Sequence, residues 1–130
     1  AVIDYRDWQV PLGRRFRALK LWFVLRAYGA EGLRHHVRDH VALTQELAAR
    51  LAADPRFEVV APHPLNLVCF RAVAGDEATE ALLEALNDSG RVLLTHTRLA
   101  DRFVIRAVVG AQATQAEHVD ALWELIDGLG

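Results

Sequence analysis

Apolar positions recur along the chain with two periods, and the changes of period mark out its elements. Residues 14–28 have helical spacing but two apolar sides. At about 100° per residue, Phe16, Leu19, Phe23 and Ala27 share one side, while Ala18, Leu21, Trp22, Leu25 and Tyr28 lie nearly opposite. Arg15 with Arg26, and Arg17 with Lys20, form charged stripes between them. Such a helix needs a packed layer on each side. Gly29 is placed to end it with a left-handed cap. From Glu31 to Ala53 the pattern is simpler: Leu33, Val37, Val41, Thr44, Leu47, Ala48 and Leu51 make one stripe, and Asp54-Pro55 stops the helix.

Beyond that point the period shortens. Phe57 to Ala61 and Asn66 to Ala72 read as strands on either side of Pro62-His63-Pro64. A helix is predicted over 77–89, with Asp76 as its N-cap and Gly90 just past its end. Val92 to Thr97 and Arg102 to Val109 then form a hairpin through Arg98–Asp101. Thr114 and Glu117 have the spacing of a capping box and open a last helix to Leu129, burying Val119, Leu122, Trp123 and Ile126. Strands arriving in pairs predict an α+β fold: an antiparallel sheet of about four strands with helices packed on one face. The expected domains are a lead-in and connecting helix over 1–30 and a small α+β domain over 31–130.

Composition narrows the function. The net charge of −2 leaves no electrostatic footprint for nucleic acid, and no apolar run reaches the length of a membrane span. The one cysteine, Cys69, excludes an internal disulfide and fits a reducing, cytoplasmic compartment. The absence of methionine suggests a processed chain or a piece of a longer one, and the piece is the reading adopted. Fourteen of the fifteen basic residues are arginine, so Lys20 is the only lysine.

Candidate chemistry is sparse. His36 and His40 have the i, i+4 spacing of a metal pair, but no acidic residue or cysteine completes a recognised motif near them or His35. They read as half-buried helix histidines, and no metal is expected. Cys69 sits mid-strand between Val68 and Phe70 as a small buried hydrophobe. Arg106 is the unusual residue, because it shares its strand face with Val104 and Val108. A guanidinium there needs an anion, supplied either by a structural salt bridge or by a ligand. Arg14 and Arg15 lie at a helix start, where the macrodipole disfavours cations, and no acidic residue occurs from Gln9 to Ala30. Solvation accounts for them simply; an acidic group on a neighbouring domain or subunit is the sharper reading.

The run Asp4-Tyr5-Arg6-Asp7-Trp8-Gln9-Val10-Pro11-Leu12-Gly13-Arg14-Arg15-Phe16 through Leu21-Trp22-Phe23 resembles a signature of the aromatic-L-amino-acid decarboxylases. The likeness continues at Asp54-Pro55-Arg56-Phe57-Glu58, Leu67-Val68-Cys69-Phe70-Arg71, Phe103-Val104-Ile105-Arg106 and Ala116-Glu117-His118-Val119. The resemblance implies a fold type I, pyridoxal-phosphate-dependent (group II) decarboxylase whose large domain holds the cofactor on a lysine. This chain would be the small C-terminal domain with its entering helix. Lys20 follows Leu19 and does not match the family's histidine–lysine pair. The piece is therefore expected to bind no cofactor covalently, to carry no catalytic residue and to be inactive alone.

The same resemblance places Arg106 near the substrate, and Trp8, Arg14, Arg15 and Trp22 against the missing domain or subunit. It implies a full-length homodimer acting on an amino acid, expected to be aromatic, through the large domain. The alternative is a free-standing, non-catalytic α+β domain that binds a partner through helix 14–28.

Overall fold

The structure is a computed structural model in which residues 16–129 are described. Their elements run α1 (Arg17–Ala53), β1 (Phe57–Val59), β2 (Leu67–Ala72), α2 (Asp76–Asp88), β3 (Thr95–Leu99), β4 (Arg102–Val108) and α3 (Ala116–Leu129). The chain divides into two compact units, Ala1–Arg34 and His35–Gly130.

The helices expected at 14–28 and 31–53 follow one another within α1, parted at Gly29 by non-helical backbone. There φ is 66° and ψ is 171°. The positive φ matches the expectation, but ψ is extended rather than left-handed helical, a combination open essentially to glycine. Both predicted apolar sides are exposed: Phe16 and Phe23 on one, Leu21, Trp22 and Leu25 on the other. Trp8, Arg14 and Arg15 lie outside the described residues.

In the second unit, the buried stripe of α1 is His40, Leu43, Thr44, Leu47, Ala48 and Leu51. Val37, expected within it, is 56% exposed, because the face that meets the sheet runs through His40 and Leu43 instead. The four strands form one antiparallel sheet in the order β1-β2-β4-β3. Val68, Phe70, Phe103, Ile105 and Ala107 join Leu47 and Leu51 of α1, Leu82 and Leu86 of α2, and Val119, Leu122 and Ile126 of α3 in one core. Among the described residues, three helices thus share one face of the sheet, as the pattern predicts. Phe70 is fully buried and meets Phe57 edge-on, with ring centroids 6.0 Å apart.

Three local expectations are corrected. Asp76 is the first residue of α2 rather than its cap: Gly75 takes the N-cap position, and the Asp76 carboxylate turns to Arg71 and Arg98. The α2 start is tied instead by Thr79, whose hydroxyl donates to Gly75 O at 2.7 Å and accepts from Ala72 N at 3.1 Å. At α3, the Gln115 amide donates to His118 Nδ1 at 3.0 Å, so the reciprocal bond falls one residue later than the Thr114–Glu117 box. Finally, β3 begins at Thr95 rather than Val92. Leu94 N donates to Asn87 Oδ1 at 2.8 Å and Asn87 Nδ2 donates to Leu94 O at 3.1 Å. Those bonds use the backbone groups of Leu94 that a ladder would need.

Candidate functional site on the sheet face away from the helices

The register collects the chemistry on one side of the sheet. Side chains opposite each other in a ladder share a face, so Cys69 of β2, Arg106 of β4 and Thr95 of β3 form one row across three strands. Glu58 and Arg71 pair on the same side. The helices cover the other side, through Phe70 and Ile105.

Arg71 carries most of the electrostatics. It is 9% exposed and donates to Glu58 Oε1 at 3.1 Å and to Asp76 Oδ1 at 2.8 Å. Arg102 reaches the same Glu58 oxygen at 3.0 Å, and Arg98 reaches Asp76 Oδ2 at 3.4 Å. Three guanidinium groups therefore share two carboxylates. Asp76 also sits in the first turn of α2, where the helix dipole favours an anion. The Nε of Arg71 is buried without a hydrogen-bond partner. Arg71 does not stand out in the sequence as Arg106 does; its alternation with the apolar Val68 and Phe70 along β2 is the signal that marks it.

Arg106 is half-buried in its row. No ion pair or hydrogen bond joins its guanidinium to another described residue. A structural salt bridge, one of the two outcomes open from the sequence, is thus not found among the described residues. Its charge is felt by Cys69: burial pushes the thiol above its ordinary value, and the Arg106 charge pulls it part of the way back. A buried thiol with a raised pKa is a poor nucleophile, in keeping with a packing role.

A second cluster closes the far end of the domain. Arg56 bridges Asp54 at 2.7 Å and Asp127 at 2.6 Å, joining the turn after α1 to the end of α3. Hydrogen bonds from Arg56, first from its side chain and then from its backbone, hold the Asp54 carboxyl below its ordinary value. Arg56 itself is pushed upward, chiefly by Asp54.

Of the remaining candidates, Trp22 is 53% exposed, with Arg26 over its ring at 5.8 Å. The rings of His36 and His40 lie against each other, tilted by 53°, and no group of three metal-ligating side chains occurs among the described residues. No described helix is long and apolar enough to cross a membrane. Pyridoxal phosphate, the cofactor implied by the resemblance, needs a lysine and an anion cradle. Lys20 is exposed on the first half of α1, remote in sequence from the arginines of the sheet, so the described residues do not make up a holding site for that group.

Comparison with known proteins accounts for this gap. Residues 1–73 match the family described as the pyridoxal-dependent decarboxylase conserved domain. The chain is 45% identical to tryptophan decarboxylase 2 of Oryza sativa subsp. japonica over 97% of its own length and 27% of that protein's. It is 48% identical to the aromatic-L-amino-acid decarboxylase of Sus scrofa over 98% of its length and 26% of that protein's. Among solved structures, Catharanthus roseus tryptophan decarboxylase in complex with L-tryptophan superposes with a TM-score of 0.84 at 39% identity, covering 98% of this chain and 29% of that one. Oryza sativa TDC with PLP and tryptamine gives a TM-score of 0.85 at 42% identity, covering 99% and 29%. The chain thus spans about a quarter of the length of the curated relatives it matches.

Proposed function

The chain belongs to the pyridoxal-dependent decarboxylase family, and from that premise we propose that the whole protein is a pyridoxal-phosphate-dependent carboxy-lyase acting on an aromatic L-amino acid. Residues 31–130 are its small α+β domain and residues 1–30 the segment that joins it to a cofactor-holding domain. The observation that carries this reading is identity of 45–48% to aromatic-amino-acid decarboxylases across nearly the whole chain. The cofactor supplies the electron sink for carbon–carbon cleavage. This chain supplies charge and shape at the edge of that chemistry.

In this reading Arg106, a half-buried guanidinium without a carboxylate partner among the described residues, lends positive potential beside the substrate. Trp22 and its exposed neighbours on α1 cover a second surface, together with Trp8, Arg14 and Arg15. That surface belongs to the large domain or to the other subunit of a cytoplasmic homodimer.

The test is carbon dioxide release by the whole protein from L-tryptophan, L-tyrosine and L-phenylalanine, with L-glutamate as the control. Amine and aldehyde products are both assayed, because one relative is named as a phenylacetaldehyde synthase. Release from the aromatic substrates alone supports the proposal, and release from none of them overturns it.

A second reading is a non-catalytic domain that binds a partner through the helix over 14–28. The exposed Phe16, Leu21, Trp22 and Phe23 favour it. The mass of the native gene product decides between the two: a product of only 14.5 kDa, the mass of this chain, supports the second.

A further inference from the structure

Two apolar grooves of the second unit differ in their charge. In the groove between α2 and the end of α3, the ionisable lining residue is Arg56, and Asp54 and Asp127 already hold its guanidinium. The groove beside the start of α3, of about 630 Å³, has Arg91 and His118 in its lining and no carboxylate. Sites for small organic molecules span about 300–1,000 Å³.

This second groove is built from the core outward. Leu94, Val109 and Leu122, all buried, line it together with Leu93, which is 85% exposed. Apolar surface left in water beside core side chains is what an apolar ligand can cover. Both walls are pinned by asparagines. Asn87 bonds to both backbone groups of Leu94. Val109 N donates to Asn66 O at 3.0 Å, and Asn66 Nδ2 donates to Val109 O at 2.9 Å. A groove fixed in this way needs little ordering when it is filled.

The two basic residues are open to a ligand. The Arg91 backbone amide donates to Ser89 Oγ at 3.2 Å, while no ion pair or hydrogen bond engages its exposed guanidinium among the described residues. His118 accepts the Gln115 amide at Nδ1, so the neutral ring carries its proton on Nε2 and can donate it. We propose that the groove binds an amphiphilic organic acid, its apolar group against Leu93, Leu94 and Leu122 and its carboxylate held by Arg91 and His118. A planar guanidinium takes a carboxylate through two parallel hydrogen bonds, whereas an uncharged molecule of the same shape gains no such pair. The site lies wholly within the second unit and does not depend on the decarboxylase reading.

The experiment titrates the whole protein by calorimetry with octanoate and with 3-phenylpropionate, and with octanamide as the uncharged control. One carboxylate should bind per chain, at least ~10-fold more tightly than the amide. Arg91→Gln, at an exposed position, should weaken the acid ~10-fold or more and leave the amide unchanged. Ala121→Trp, which fills the groove from α3, should abolish binding of both, with circular dichroism checking that the variant folds. Which of the two acids binds tells whether the groove takes a chain or a ring, and loss of that binding in Arg91→Gln supports the site in either case. Equal affinity in Arg91→Gln and the parent would overturn it, because the acid then sits elsewhere, the substrate site included. Binding of neither acid would also overturn it, as expected if another part of the whole protein or a second copy occupies the groove.

Discussion

Cys69 and Arg106 face each other across the β2–β4 ladder, and the arginine's charge offsets part of the rise that burial imposes on the thiol. Arg106→Gln removes that offset. The Cys69 thiol should then titrate higher still, and alkylation by iodoacetamide near the ordinary thiol range of about pH 8.5 should slow. The rate measured against pH in both proteins checks this. An unchanged profile would mean that the two groups do not sense each other.

Arg71 should matter more to stability than its neighbours on the same carboxylates. Arg71→Ala leaves Glu58 and Asp76 without their most buried partner and should cost about 1–3 kcal/mol. Arg102→Ala breaks a more exposed pair and should cost at most about 1 kcal/mol. Urea midpoints of the two variants give the comparison, and equal losses would assign the network to solvent-screened surface charge.

The hairpin between β3 and β4 turns through Ala100 and Asp101, both at positive φ, 49° and 63°. Such a two-residue turn suits Asn-Gly or Asp-Gly, and an alanine there is strained. Ala100→Gly should raise stability by about 0.5–1 kcal/mol, seen as a higher thermal midpoint with unchanged hairpin amide shifts.

Acid sensitivity should have a contribution at Asp54. Its folded carboxyl titrates below the ordinary 3.8, through the hydrogen bonds of Arg56. The resulting stability is complete above 3.8 and is lost as pH falls through the lowered folded value. NMR titration of the Asp54 carboxyl should show a midpoint below 3.8 that moves up toward it in Arg56→Gln.

Most of the fold is written in the apolar spacing. The four strands, the last two helices and the helical spans on either side of Gly29 follow from local period, caps and breakers, signals carried within a few residues. Two of the errors arise where a side chain from outside the local pattern intervenes. Val92–Leu94 has strand composition, yet Asn87 takes both backbone groups of Leu94. Asp76 is well suited to an N-cap, yet Arg71 and Arg98 claim its carboxylate. The same limit applies to the site. Arg106 stands out because its strand neighbours are apolar, whereas the importance of Arg71 depends on partners 13 and 5 residues away that only the fold brings together.

The central claim is that this chain serves a pyridoxal-phosphate decarboxylase whose cofactor lysine is not Lys20. Borohydride reduction of the whole protein loaded with pyridoxal phosphate fixes the cofactor to the lysine that holds it, and peptide mass spectrometry then locates the label. The account predicts a pyridoxyl group on a lysine outside residues 1–130, with Lys20 unmodified. A stoichiometric label on Lys20 would contradict it.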